Sequence, residues 1–403
     1  MGNRQAGFFL LFHPTATTLF LFIRLIASSY VAQPAENLAT GRVEVWHSPE
    51  PEDLGWDNFL KSTLLGQFQQ SSGWGQYKQA EGWSVLRLVV TREGGIVGGF
   101  QILWKPTRLG RIGYVSKGPV VPAENPELAA FIVKLVRAQA DQLKLRALIV
   151  QAPDFGDSLT GPLRRAGWLG VLPGKIIDAS CMLDLRPVSK NLETGFSSSA
   201  RRNVRIASKM GVMVREGTGD EITLFHSLMV GTCARHGVTP NPPSVAASQA
   251  LWSAMAKGGH ARLTFATYRG EAIAGKLSIL FGSRASLFKV GWNGQHPKSH
   301  SNELLESEAL RWAQSNQYAT ADWVGMSRPT ADSVLRGTNL DEIQVSSIDA
   351  FKLRFGGNPV LLPSALVWIN NPLLRHGYKW VLPALIAVKS WLQRLAVPSN
   401  PST

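Results

Sequence analysis

RLVVTREGGIVGGFQILW, residues 87–104, and RLTFATYRGEAIAGKLSILF, residues 262–281, are the two stretches that decide the fold. Each is a β-branched and apolar run, a glycine-bearing turn, and a second such run, the pattern of an antiparallel hairpin. The turns fall at residues 92–95 and 269–271. Each hairpin is followed by a short basic turn, at residues 107–110 and 282–284, and by a third strand near residues 111–116 and 285–291. Each then runs into an amphipathic helix, near residues 126–142 and 302–315, and a further strand, 147–151 and 319–324. Chance likeness of two hairpins would not also supply the matching helix and strand, so one supersecondary plan is expected twice. Both helices carry a core-facing stripe: Leu128, Phe131, Ile132, Leu135 and Val136 in the first, Leu305, Ala309, Trp312 and Ala313 in the second. Ser301 or Asn302 is the expected cap of the second, and Glu303 and Glu306 suit its positive end.

Around these repeats, 403 residues exceed what one ordinary core fills, so two domains are expected. Hydrophobic residues at 44% and charged ones at 17% are globular values. Cys181 and Cys233, the only cysteines, exclude a disulfide framework. His296 and His300 are the nearest approach to metal spacing, and Pro297 between them disfavours the helix that would align them, so no metal site is expected. The formal charge of +14 attracts polyanions: tRNA, nucleotide diphosphates, coenzyme A or anionic lipid. A basic surface kept for solubility accounts for it equally well.

The ends differ from the body. Residues 8–32 are apolar enough to suggest a membrane span, but His13, Pro14 and Arg24 interrupt them, and a loosely structured leader or an over-long gene start is the favoured reading. A linker at 33–41 follows, so 1–41 is set apart as leader and linker. Residues 370–395 mix leucines and two tryptophans with Arg375, Lys379, Lys389 and Arg394; they suit either an interfacial amphipathic helix or one packed on the body, kinked at Pro383.

Three segments carry candidate chemistry. SSARRNVRIASKMG, residues 198–211, is expected to be a helix with Arg201, Arg205 and Lys209 on one face and Arg202 beside them, capped by Gly211. So many cations together point to a facing anion, against a merely solvated basic face. FKLRFGG, residues 351–357, alternates so that a strand would bury Phe351, Leu353 and Phe355 and present Lys352 and Arg354. In YATADWVG, residues 318–325, Asp322 ends an apolar strand, where it suits a proton acceptor or an ion pair with Lys352 or Arg354.

The order of FQQSSGWGQYKQAEGW (68–83), YVSKGPVV (114–121), SARRNVRIASKMGV, LLESEALRWAQSNQYATADWVG and FKLRFGG resembles the Fem-type family, the FemABX peptidoglycan bridge-forming aminoacyltransferases and their acetyltransferase-like relatives, over roughly residues 60–360. The resemblance implies an α/β (α+β) protein of two tandem GNAT-like lobes with central mixed sheets, at 42–190 and 191–362, and a C-terminal amphipathic helical tail, 363–403. It implies transfer of an aminoacyl group from aminoacyl-tRNA, or an acyl group, to an amine of a phosphate-bearing envelope precursor, with no tightly bound cofactor. The location implied is cytoplasmic, with possible peripheral contact on the anionic inner face of the membrane. The rivals are an acyl-CoA-dependent N-acetyltransferase of surface-polysaccharide synthesis and a non-catalytic scaffold. Carried onto this chain, Lys352 matches the family's Phe-Lys pair and is the implied essential residue; with Asp322, read above from its strand end as a proton acceptor, it makes the candidate catalytic pair. Tyr114, Lys117, Arg201, Arg202, Asn203 and Arg205 are the implied substrate-binding residues, and Trp74 of the 68–83 segment and Arg354 of the 351–357 alternation complete the candidate set. The chain departs from the pattern at three points: no long charged helical hairpin in the second lobe, Pro122 where an acidic residue is frequent, and no Arg/Gln-x-x-Gly-x-Gly/Ala loop for coenzyme A.

Overall fold

Both hairpins close on the same turn. In the computed structural model, which describes residues 31–39, 41–121, 125–171, 176–186, 191–338 and 345–381, Glu93 and Gly94 have φ of 50° and 79°, and Arg269 and Gly270 have 54° and 85°. Two consecutive positive φ values make the two-residue turn whose twist matches that of the strands it joins. In both hairpins the register shifts just before the turn, at Val90/Thr91 and at Ala266/Thr267. The duplication therefore extends to register.

The chain runs β1 (Val31–Leu38), β2 (Gly41–Ser48), α1 (Leu54–Ser62), α2 (Ser72–Ala80), β3 (Ser84–Arg92), β4 (Gly95–Thr107), β5 (Gly110–Ser116), α3 (Pro126–Gln142), β6 (Leu145–Gln151), α4 (Thr160–Arg165) and β7 (Leu169–Gly170). After β8 (Ala179–Asp184) and α5 (Ser198–Lys209) come β9 (Met213–Glu216), α6 (Ile222–His236), α7 (Val245–Ala256), β10 (Ala261–Tyr268), β11 (Glu271–Phe281), β12 (Arg284–Trp292), α8 (Ser301–Ser315) and β13 (Thr320–Asp322). The end is α9 (Arg328–Leu335), α10 (Ser347–Arg354), β14 (Asn358–Leu361), β15 (Leu366–Ile369) and α11 (Pro372–His376). The succession from β2 to β6 recurs from β9 to β13, two helices longer than the repeat legible in the hairpins alone. In each lobe the meander is antiparallel and its last strand is parallel, β5 beside β6 and β12 beside β13.

Two mixed sheets result, ordered β1-β2-β3-β4-β5-β6-β15-β7 and β14-β8-β13-β12-β11-β10-β9. Strands cross between them. β8 precedes the second repeat and follows the first, yet it lies beside β13; β15 follows the second lobe, yet it lies beside β6. The simple division at 190/191 and 362/363 is thus crossed in both directions. Each lobe has its own apolar core, and a third core joins Trp56, Phe68, Trp74 and Tyr77 of the first lobe to Phe225, Leu251, Met255 and Phe265 of the second.

Local chemistry sets the helix ends. Asn125 accepts from Leu128 N–H to start α3, with Pro126 at its first position, and Ser197 accepts from Ala200 N–H to start α5. Gly211, at φ 83°, follows the end of α5. Helix α8 starts one residue early, at a His300 cap with φ 51°, so Ser301 and Asn302 are its first residues and not its cap.

Three expectations are corrected. Residues 351–354 belong to a helix, α10, not to a strand: Ser346 caps it by accepting from Asp349 N–H, and Phe351 and Phe355 meet by the four-residue helical spacing, rings 5.0 Å apart. The linker at 33–41 is largely β1, paired with β2. The tail opens with β15, all four residues buried, before the short α11 and a further turn at Gly377–Val381. The apolar leader up to residue 30, Pro122, and the tail beyond Val381, Pro383 included, lie outside the described residues.

A candidate active site between the lobes

The strands β12 and β13 pair only from Arg284/Thr320 to Ser286/Asp322. Beyond that point β12 continues to Trp292 while the other strand turns away, and a wedge opens. In the first lobe β5 and β6 stay paired to Ser116 and Gln151. A cavity of about 610 Å³ fills the space between these two strand ends, with residues of both lobes in its wall.

At its base lies a chain of charges from both lobes. Lys117, just past β5, donates to Asp154 Oδ1 at 2.6 Å. Arg284 Nη1, at the head of β12, donates to Asp154 Oδ2 and to Asp322 Oδ2, the second at 3.3 Å. Asp322 Oδ1 accepts from Ser180 Oγ at 2.6 Å and from Val324 N–H at 2.8 Å. Two cations balance two carboxylates, which is what buried charge requires. Burial alone would raise the Asp154 carboxyl, but the Lys117 ammonium and the Arg284 guanidinium outweigh it and hold it below its ordinary value. Burial works against the Arg284 charge, and Asp154 and Asp322 more than offset it.

The wall beside Asp322 is strained. Val324 has φ of 49°, a left-handed conformation that β-branched residues avoid, and Gly325 follows at 120°. Three hydrogen bonds hold the turn: Val324 N–H to Asp322, Gly325 N–H to Ser180 Oγ at 3.0 Å, and Lys352 Nζ to Gly325 O. Trp323, between them, donates its indole N–H to Glu306 at 2.8 Å, and Glu306 is itself paired with the buried Lys276. Backbone strain fixed this firmly beside a cavity is characteristic of functional sites.

The remaining walls are aromatic and amide. Phe68, Trp74 and Phe288 meet edge to face, with Phe68 5.0 Å from Trp74 and 5.7 Å from Phe288. Tyr114 donates to Gln151 Oε1 at 3.3 Å, and the Gln151 amide donates to Ile177 O at 2.7 Å. Burial raises the Tyr114 phenol, so it stays neutral.

Of the residues singled out in the sequence, Trp74, Tyr114, Lys117 and Asp322 line this cavity. Lys352 reaches it from behind, its amine on the Gly325 carbonyl and 3.8 Å from Asp349. Burial lowers that amine, against the pull of Asp349. Asp322 pairs with Arg284, not with Lys352 or Arg354 as expected. Arg354 gives its carbonyl to Ser197 N–H at the start of α5, and its side chain is not in the cavity wall. Nor are the side chains of α5. Arg201 donates to the carbonyls of Glu193 and Phe196, Asn203 is buried and donates to Glu303 at 3.0 Å, and Arg202 and Arg205 are exposed. Asp154, Ser180 and Arg284 escaped the sequence reading: Arg284 looked like part of a basic turn, and its two carboxylates stand 130 and 38 positions away. Among the described residues no cluster of His, Cys, Asp and Glu could hold a metal ion, and no helix is long and apolar enough to cross a membrane.

Known proteins match both lobes. The FemAB family matches residues 52–152, and the acetyltransferase (GNAT) domain matches residues 195–331. Lipid II:glycine glycyltransferase of Staphylococcus aureus strain MRSA252 is 28% identical over 193 residues, 45% of this chain and 46% of that protein. Its counterpart in strain USA300 is 27% identical over the same length. The chain thus spans about half the length of the curated relatives it matches. The crystal structure of FemX overlays on 79% of this chain and 96% of its own, with a TM-score of 0.68 at 18% identity, which establishes the shared fold. The FemAB match thus falls on the first lobe and the GNAT match on the second, and the chain shares the fold of FemX.

Proposed function

We propose that the chain is an N-acyltransferase that passes an aminoacyl group from aminoacyl-tRNA to an amine of a phosphate-bearing envelope precursor. The observation that carries this reading is the two-lobe cavity with Asp322 beside a strained, triply held turn, in a chain whose relatives are named lipid II:glycine glycyltransferase. The acceptor nitrogen attacks the ester carbonyl; a new C–N bond forms, the ester C–O bond breaks, and the departing hydroxyl takes a proton. Asp322 is the proton acceptor for the attacking amine, and Arg284 and Lys117 set the local charge. Holding both substrates in one cavity supplies most of the acceleration. Trp74 and Tyr114 form walls. Lys352 is a positioning residue that braces Gly325, and not the free cation that an open strand face would have offered.

The basic helix has its place outside the cavity. Arg202, Arg205 and Lys209 are exposed on α5, where they suit the phosphates of a long donor. A second reading, acyl-CoA as donor, draws support from the GNAT match on the second lobe and from the wedge at β12/β13. After β15, Leu373, Leu374, Trp380 and Val381 are exposed beside Lys379, a composition suited to peripheral contact with an anionic membrane. The deciding experiment offers the purified chain charged tRNA and acetyl-CoA in parallel, each labelled in the acyl group, with amine acceptors of envelope type. Label moving from tRNA is the expected result. Label moving only from acetyl-CoA selects the second reading, and none from either removes the enzyme.

A further inference from the structure

Strand β12 contains one residue too many. Lys289 lies opposite Leu277 and Ser286 opposite Ile279, so four residues of β12 face three of β11. A bulge of this kind breaks the alternation of faces and re-aims side chains, and bulges gather next to active sites. Here both Phe288 and Lys289, consecutive residues, line the cavity. Without the extra residue only one of them would.

The amine so placed is unusual. Lys289 is half-buried and stands 4.8 Å over the Phe288 ring. No carboxylate pairs with it among the described residues, although Lys117, Lys276 and Arg284 nearby each have one. The charged neighbour it does have is Lys78, also in the cavity wall, whose own charge is matched by Glu81. Burial lowers the Lys289 amine; the nearby Cys233 thiol opposes the shift and Lys78 adds to it. The corner therefore holds one uncompensated positive charge, walled by Phe68, Trp74 and Phe288. What it offers a ligand is a single ammonium set on an apolar wall.

We propose that Lys289 is the specificity-determining anchor for a carboxylate on the molecule that enters this cavity, with the apolar chain of that molecule lying on Phe288 and Trp74. The name acceptor for that molecule rests on the acyl-transfer reading; the anchor itself does not.

The test is lysine footprinting of the full chain by an amine-acetylating reagent, read by mass spectrometry. The probes are millimolar glutarate, its uncharged counterpart glutaramide, and inorganic phosphate, with exposed Lys257 as internal control. Glutarate is expected to slow modification of Lys289 at least threefold while leaving Lys257 unchanged, and glutaramide is expected to do nothing. Glutarate should also raise the melting temperature of the parent and of Lys289→Arg, but not of Lys289→Met. Equal protection by glutarate and glutaramide, stronger protection by phosphate, or a Lys289 that the reagent never reaches would each overturn the proposal. Protection without turnover from any donor leaves the anchor and removes the acyltransferase; turnover without protection does the reverse.

Discussion

Asp154 is the residue on which the two lobes meet, since it takes Lys117 from its own lobe and Arg284 from the other. Its carboxyl is held below its ordinary value when folded, so the stability it contributes is present above the unfolded carboxyl value of about 3.9 and is lost as pH falls through the lower folded value. Asp154→Asn leaves two buried cations short of charge, and the expected cost is about 3 kcal/mol near neutral pH. The gap between melts of the variant and parent should hold from neutral pH down to about pH 4 and narrow progressively below it; a gap that does not narrow as the pH is taken further down would remove the ion pairs as its cause. At this scale the sequence was half legible. Asp322 stood out because an acid ending an apolar strand needs a reason. Asp154 and Ser180 did not, because their partners are set by the packing of two lobes and not by any spacing along the chain.

At the scale of elements, the pairing of α2 with α7 shows how closely the lobes are seated. A Cβ on Gly73, in α2, would come within 2.8 Å of the Ala254 carbonyl and 3.1 Å of Met255 Sδ in α7. Gly to Ala inside a helix ordinarily stabilises by about 1 kcal/mol. Gly73→Ala is expected instead to destabilise by roughly 1–3 kcal/mol, as overpacking does; chemical denaturation measures it, and a stabilised variant would mean that the helices are free to part. The meanders, α3, α5 and α8 were legible because each repeats a strong period over many residues. Helix α10 was not. Phe351 and Phe355 fit the helical spacing of four as well as the strand spacing of two, and seven residues are too few to choose. The cap at Ser346, five residues upstream of Phe351, decides it.

For the whole molecule, the crossing strands make the lobes mutually dependent: β8 completes the second sheet and β15 the first. A chain cut after Leu361 loses β15, leaving β6 and β7 without the strand between them. It is expected to lose cooperative folding of the first lobe. One cut after Asn371 keeps every strand, should melt like the parent, and should lose any binding to anionic vesicles that Leu373, Leu374 and Trp380 provide. Equal melting of both truncations would contradict the exchange. The tandem plan was legible from the duplicated hairpins, but this exchange was not, because strand order across a sheet depends on long-range pairing that no local pattern records. The account as a whole rests on acyl transfer taking place beside Asp322. Its most direct test is the single-turnover rate of label transfer from charged tRNA for Asp322→Asn against the parent, with thermal melts alongside. The account predicts a loss of roughly a hundredfold or more in rate, the scale of a missing general base, in a protein that still folds. An Asp322→Asn variant that transfers label at the parent rate would contradict it.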